Sequence, residues 1–244
     1  MTTSDSSSGP PGPSPEVHHS HQDVSGGWLR AVVFGAMDGL VSNFALIAGM
    51  AGGGVSSSTI VLAGFAGLGA GAFSMAAGEY VSVRSQNELA ERELIIERLE
   101  LERNADGELA ELAHSYIDRG VQPELAYEVA RQISRDTDRA VQVHAMLELG
   151  VDPQQLASPV VAAGSSFVAF LTGAIIPVIP YLFGATDLLP ALVVSALGLF
   201  GAGALVSRIT PRSWWYAGLR QLGFGLGAAG LTYGIGALVG VATG

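Results

Sequence analysis

Five apolar stretches constrain this chain more than any other feature, because each is close to the ~20 residues that an α-helix needs to cross a ~30 Å hydrocarbon layer. They run over residues 28–50, 59–83, 162–183, 188–206 and 217–241, and a single long polar segment interrupts them. With 49% hydrophobic and only 14% charged residues, the chain falls well below the roughly 25% charge of soluble domains. The expected fold class is an all-α membrane protein, with five transmembrane helices and a helical cytoplasmic insert between helices 2 and 3. The chain divides into a polar tail (1–25), transmembrane helices 1 and 2 (26–84), an acidic insert (85–152) and transmembrane helices 3–5 (153–244). The tail is rich in Ser, Gly and Pro and holds no apolar run, so it reads as disordered and not as a signal peptide. Its His18, His19 and His21 form a histidine cluster of a kind that binds metal, but without fixed geometry.

Orientation follows from the bases, all twelve of which are arginine. Arg30 lies at the very start of the first stretch, Arg84 to Arg139 lie between the second and third, and Arg208, Arg212 and Arg220 flank the junction of the last two. All fall on one side, which the positive-inside rule makes cytoplasmic. The N-terminus and insert are then cytoplasmic and the C-terminus outside. Trp28, Trp214, Trp215 and Tyr216 mark the cytoplasmic interface as an aromatic belt. Arginine without lysine suggests a GC-rich genome and hence a bacterial cytoplasmic membrane.

Charge and cysteine content narrow the ligands. The chain has no cysteine, so any metal must be held by oxygen, imidazole or thioether. A net charge of −10, from 22 acids against 12 bases, argues against nucleic acid and for cations. The insert concentrates that charge, with 16 acids and 7 bases over 85–152. Its pattern predicts that the second apolar helix runs on through Glu102 and stops at Asn104–Gly107, with further helices over 108–119, 123–133 and 136–149. Such a short insert is small for a core of its own, so a second copy or a metal would help to hold it.

Two constellations carry chemistry. Asp38 is the only acid in the first stretch, and an acid there costs at least ~2.5–3.5 kcal/mol on insertion scales, which marks an ion path by default. It lies roughly 15 Å from Trp28 along a helix, and Met75 lies roughly 14 Å from Arg84, so the two share a depth. A carboxylate beside a thioether suits a borderline ion such as Fe²⁺; on spacing alone Met75 serves equally as packing. Glu79, one turn nearer the cytoplasm, reads either as a relay or as an interfacial acid bonded to Arg84 or a lipid headgroup. In the insert, Glu93, Glu97 and Glu100 share one helix face, Glu108 and Glu111 form a second Glu-x-x-Glu, and His144 with Glu148 forms an i, i+4 pair. If the helices fold back, these carboxylates converge on a divalent cation; a solvated acidic face is the alternative.

The residues resemble the vacuolar iron transporter family over nearly all of 28–244. Phe34 to Leu46 reads FGAMDGLVSNFAL, Gly71 to Tyr80 reads GAFSMAAGEY, and Gly173 is followed by Pro177 and Pro180. The resemblance implies a homodimer with its pore on the two-fold axis, exporting Fe²⁺ and Mn²⁺ from the cytosol in exchange for protons. It implies pore ligands at Asp38 and Met75 and cytoplasmic ligands at Glu97, Glu100, Glu108, Glu111 and Glu148. Two positions depart from the family pattern. Gly67 stands where some relatives have an acid, which leaves Glu79 as the nearest replacement. His144 and Ala145, followed by Met146, stand where relatives have methionines, so the metal preference shifts toward harder ions and Zn²⁺ becomes a candidate at the insert. No permanently bound cofactor is expected, since the metal is the substrate. The rival reading is a membrane-anchored di-iron oxidase or ferritin-like iron-handling protein, suggested by the Glu-x-x-His of Glu111 and His114; such sites need that motif on two helices, and the insert holds one copy.

Overall fold

The computed structural model describes residues 28–208 and 211–243, which leaves the histidine cluster of the tail outside the described residues. Every regular element among them is helical: α1 (Trp28–Gly52), α2 (Ser57–Arg103), α3 (Ala105–Ile117), α4 (Pro123–Ile133), α5 (Thr137–His144), a π-helical turn (Ala145–Leu149), α6 (Pro159–Ile175), α7 (Ile179–Leu182), α8 (Leu189–Val206) and α9 (Trp214–Thr243). Four of these, α1, α2, α8 and α9, are long and apolar enough to cross a membrane, and α6 is a shorter apolar helix.

The helix α1 is central, packed against α6, α9, α2 and α8. Its Leu40, Phe44 and Ala48 meet Leu199 of α8 and Ala229 of α9, while Ile47 meets Ile60, Val178, Tyr181 and Ala191. Small residues permit close crossings of α1 with α6 and with α9, where a Cβ on Gly236 would strike the carbonyl of Gly49. A Cβ on Gly39 would strike the carbonyl of Phe170, and one on Gly173 the carbonyl of Ala36. Backbones this close gain van der Waals contact that lipid cannot provide. Side chains tie the other helices down: Asn43 Nδ2 donates to the Ala174 carbonyl at 2.6 Å, and Thr232 Oγ1 of α9 donates to the Ala45 carbonyl at 2.6 Å.

Beyond the apolar bundle, α2 continues without a break for 47 residues, about 70 Å at 1.5 Å per residue, or more than twice a hydrocarbon layer. Ser56 caps its start through a Thr59 N–H bond of 3.3 Å, and Asn104 ends it. The insert then folds back on α2. Leu112 and Ala113 of α3 pack on Ala126 and Ala130 of α4, with Val143 and Leu147 closing over them. Pro123 opens α4 at a first-turn position, where its missing N–H costs nothing.

Three expectations need correction. The stretch 162–183 is not one helix: α6 begins at Pro159 and ends at Ile175, and Pro177 breaks the ladder because it has no N–H to donate, leaving a turn before α7. The expected helix over 136–149 is α-helical only from Thr137 to His144, capped by Asp136 through the Arg139 N–H at 3.1 Å, and then widens into the π turn. Gly150 ends that turn at φ 65°, a left-handed conformation that favours glycine. The helix expected over 108–119 begins three residues earlier, at Ala105, and stops at Ile117.

Candidate metal pathway

Asp38 and Met75 line one groove between α1 and α2, about 460 Å³ in volume, with Phe170 of α6 also on its wall. The helical repeat explains the membership. Arg30, Phe34, Asp38 and Ser42 recur at intervals of four on α1, and Gly71, Met75 and Glu79 do the same on α2, with Ser74, Gly78 and Ser82 beside them. Gly71 sets how closely α2 and α6 approach, since a Cβ there would enter the Phe170 ring. The Ser42 hydroxyl donates to the Asp38 carbonyl at 2.6 Å, leaving its lone pairs as acceptors. The groove thus offers carboxylate, thioether and hydroxyl oxygen, and a cation finds donors along its length.

Glu79 does not bond Arg84, which pairs instead with Glu88 at 2.7 Å. Its side chain is 7% exposed, and Arg30 Nη2 reaches both of its oxygens, at 3.0 and 2.8 Å. Sequence reasoning missed this partner. The available signal was position: Arg30 is the one base on α1, two turns before Asp38 and on the same face. Asn43 was missed as well. It is 2% exposed, and its Oδ1 has no hydrogen-bond partner and faces the surface above Gly67.

The second site lies in the insert, where Glu97 of α2, Glu108 of α3 and His144 of α5 bring one ligand atom each within 4.8 Å of one another. Donors around a tetrahedral ion at ~2.1 Å stand about 3.4 Å apart, so closing on a metal needs these side chains to draw together by up to about 1.4 Å. His144 is completely buried; its Nδ1 shares a hydrogen bond with Glu148 Oε1 at 2.8 Å and lies 3.0 Å from Glu97 Oε1 and 3.9 Å from Glu108 Oε2. Glu97 Oε1 and His144 Nε2, both sealed from solvent, have no hydrogen-bond partner. Burial pushes the Glu97 carboxyl up to about 7; the nearby His144 opposes this, while Glu148, Glu108 and Glu100 add to it. Burial raises Glu108 too, helped by Glu111. A dry pocket of oxygens and one imidazole, short of positive charge, suits a borderline or hard divalent ion.

The remaining expected residues fall outside that triad. Glu100 and Glu111 are exposed at its edge, near enough to act on Glu97 and Glu108 through charge. Glu93 is half-buried one turn earlier on α2, and Met146 is 45% exposed. His114 is exposed, and its Nδ1 bonds the Ala110 carbonyl at 2.7 Å, so the Glu-x-x-His pair does not point into the triad.

Comparison with known proteins finds relatives over most of the chain. A protein named vacuolar iron transporter from Acanthamoeba castellanii is 40% identical over 225 residues, covering 90% of this chain and 77% of that protein. One of the same name from Centaurea cyanus is 31% identical and covers 68% of each chain. Vacuolar iron transporter 2 of Oryza sativa is 27% identical, with 90% of this chain and 91% of the relative covered. The model of the VIT family matches residues 29–237, and the chain belongs to that family.

Proposed function

We propose that this chain is a multi-pass membrane transporter, and not an enzyme, that exports Fe²⁺ from the cytosol, with Mn²⁺ as a second substrate, in exchange for protons. The observation that best supports this is the single helix α2, which presents Met75 to the groove opposite Asp38 and carries Glu97 into the insert triad. About 33 Å of continuous helix joins the two. The insert captures the ion, with Glu97, Glu108 and His144 as ligands and Glu148, Glu100 and Glu111 around them. Asp38 and Met75 then pass it across the bilayer. Relatives named for iron support the ion, and capture on the arginine-bearing side supports outward transport.

The reading includes five spans, with α6 and α7 together forming the third, and a homodimer in a bacterial cytoplasmic membrane. Leu89, Ile95, Ile96 and Leu99 are exposed on the extension of α2, beyond the reach of lipid, and such a stripe calls for a protein partner. The di-iron alternative loses support because His114 is exposed and its Nδ1 is taken up by the Ala110 carbonyl, outside the triad.

The test is flux into proteoliposomes of Fe²⁺, Mn²⁺ and Zn²⁺, with and without a pH gradient. Asp38→Ala should lower Fe²⁺ flux by about a hundredfold or more, since losing a mere outer partner of a ligand already costs about 10–100-fold. Undiminished flux removes Asp38 from the route, and flux indifferent to the pH gradient removes proton exchange.

A further inference from the structure

The bidentate contact between Arg30 and Glu79 sits where the groove opens toward the insert. Glu79 is one turn from Met75 toward the insert, and Arg30 is two turns before Asp38. A cation leaving the insert for Asp38 therefore meets the Arg30 guanidinium first. The pair is also lopsided: Glu79 is 7% exposed whereas Arg30 is 62% exposed. The carboxylate is fixed within the helix packing, and the arginine lies over it on a long, flexible stem. A buried carboxylate needs a positive partner, but nothing in the packing requires that this partner be Arg30. A divalent ion supplies that positive charge, and one more, in less space.

From this geometry we propose that Glu79 is a transfer site for the ion and that Arg30 is its resting counter-ion, the two forming a gate at the cytoplasmic mouth of the groove. At rest, Arg30 neutralises Glu79 and repels cations from Asp38. An arriving ion takes the place of Arg30 on Glu79, the guanidinium swings out to solvent, and the ion moves one turn along α2 to Met75 and Asp38. The ion brings one positive charge more than the guanidinium it displaces, so the buried carboxylate stays paired during the exchange, and Arg30 returns to it as the ion moves on to Asp38. The proposal rests on the groove being the ion's route. It differs from the role of Asp38, which holds the ion once it has entered.

The absence of cysteine from the chain permits a test that does not depend on transport. Ser74 lines the groove on the inner side of the pair and Ser82 on the outer side. Each is replaced singly by cysteine, and the rate of labelling by an uncharged, membrane-impermeant maleimide is measured in vesicles with the insert outward. Arg30→Met should speed labelling at position 74 by about fivefold or more, the factor expected for a pair of this exposure. The rate at position 82 should not change. Exchanging the two residues, Arg30→Glu with Glu79→Arg, should restore slow labelling at 74. Equal rates at 74 with and without Arg30 overturn the gate. Equal acceleration at 74 and 82 overturns it too, because general loosening of the helices has then replaced a local opening. Wild-type vesicles that label as expected yet move no metal refute the transport reading and leave the gate standing.

Discussion

Glu97 is a carboxylate that burial makes hard to ionise; His144 opposes this, and three other carboxylates add to it. Its folded value of about 7 lies above the ordinary 4.5, so between those limits the folded chain keeps a proton that the unfolded chain has released. That proton favours the fold fully below pH 4.5, and the benefit is lost as pH rises through 7. A divalent ion reverses the sign, because it takes the carboxylate and expels the proton. Mn²⁺ binding to the purified protein should therefore release more protons at about pH 6 than at about pH 8, and its apparent affinity should rise with pH before levelling off. Calorimetry in buffers of different protonation enthalpy measures both. Glu97→Gln should weaken binding by about tenfold or more and flatten the pH dependence; a pH dependence that survives this change assigns the proton elsewhere. The i, i+4 spacing of His144 and Glu148 was legible in the sequence, because the two residues fall in one helical run even though it widens into a π turn after His144. Their meeting with Glu97 was not, since it depends on how α5 folds back on α2.

At the scale of elements, the length of the apolar stretches pointed to α1, α2, α8 and α9, and Asp136 and Gly150 pointed to the two ends of the last insert helix. What length does not encode is azimuth. The shared depth of Asp38 and Met75 followed from counting residues, but the pairing of Arg30 with Glu79 requires knowing how α1 and α2 are rotated, which glycine contacts decide. Gly173 and Gly164 on α6 separate packing from propensity. A Cβ at Gly173 meets the Ala36 carbonyl, whereas one at Gly164 meets nothing within 4 Å. Alanine at 164 should thus be neutral or stabilising, by up to about 1 kcal/mol. Alanine at 173 should cost about 1–3 kcal/mol by forcing α1 and α6 apart. Thermal melting of the two variants in one detergent compares them directly, and equal melting temperatures would mean that the α1–α6 contact is looser than its glycines imply.

Across the whole molecule, α2 is the one element shared by both sites, and its continuity is what allows the insert to act on the groove. From Glu79 to Glu97 the helix spans about 27 Å, and the insert reaches the bundle elsewhere through the segment after Gly150, where Asn87 Nδ2 donates to the Ala157 carbonyl at 2.9 Å. If the rod aims the triad at the groove mouth, bending it should separate capture from passage without harming either site. Glu88 is the place to bend it, being exposed and bonded only to Arg84. Proline there removes a helix hydrogen bond and clashes with the carbonyl one turn back, at a cost of ~3 kcal/mol or more and a kink. Glu88→Pro should leave Mn²⁺ binding by the insert within about twofold while lowering transport by about tenfold. Glu88→Ala removes the same ion pair without the kink and should change neither. Calorimetry and proteoliposome flux on the same preparations give both numbers. Proline with undiminished flux would mean that the insert only enriches metal near the membrane, whereas loss of binding together with flux would mean that the triad itself needs a straight α2.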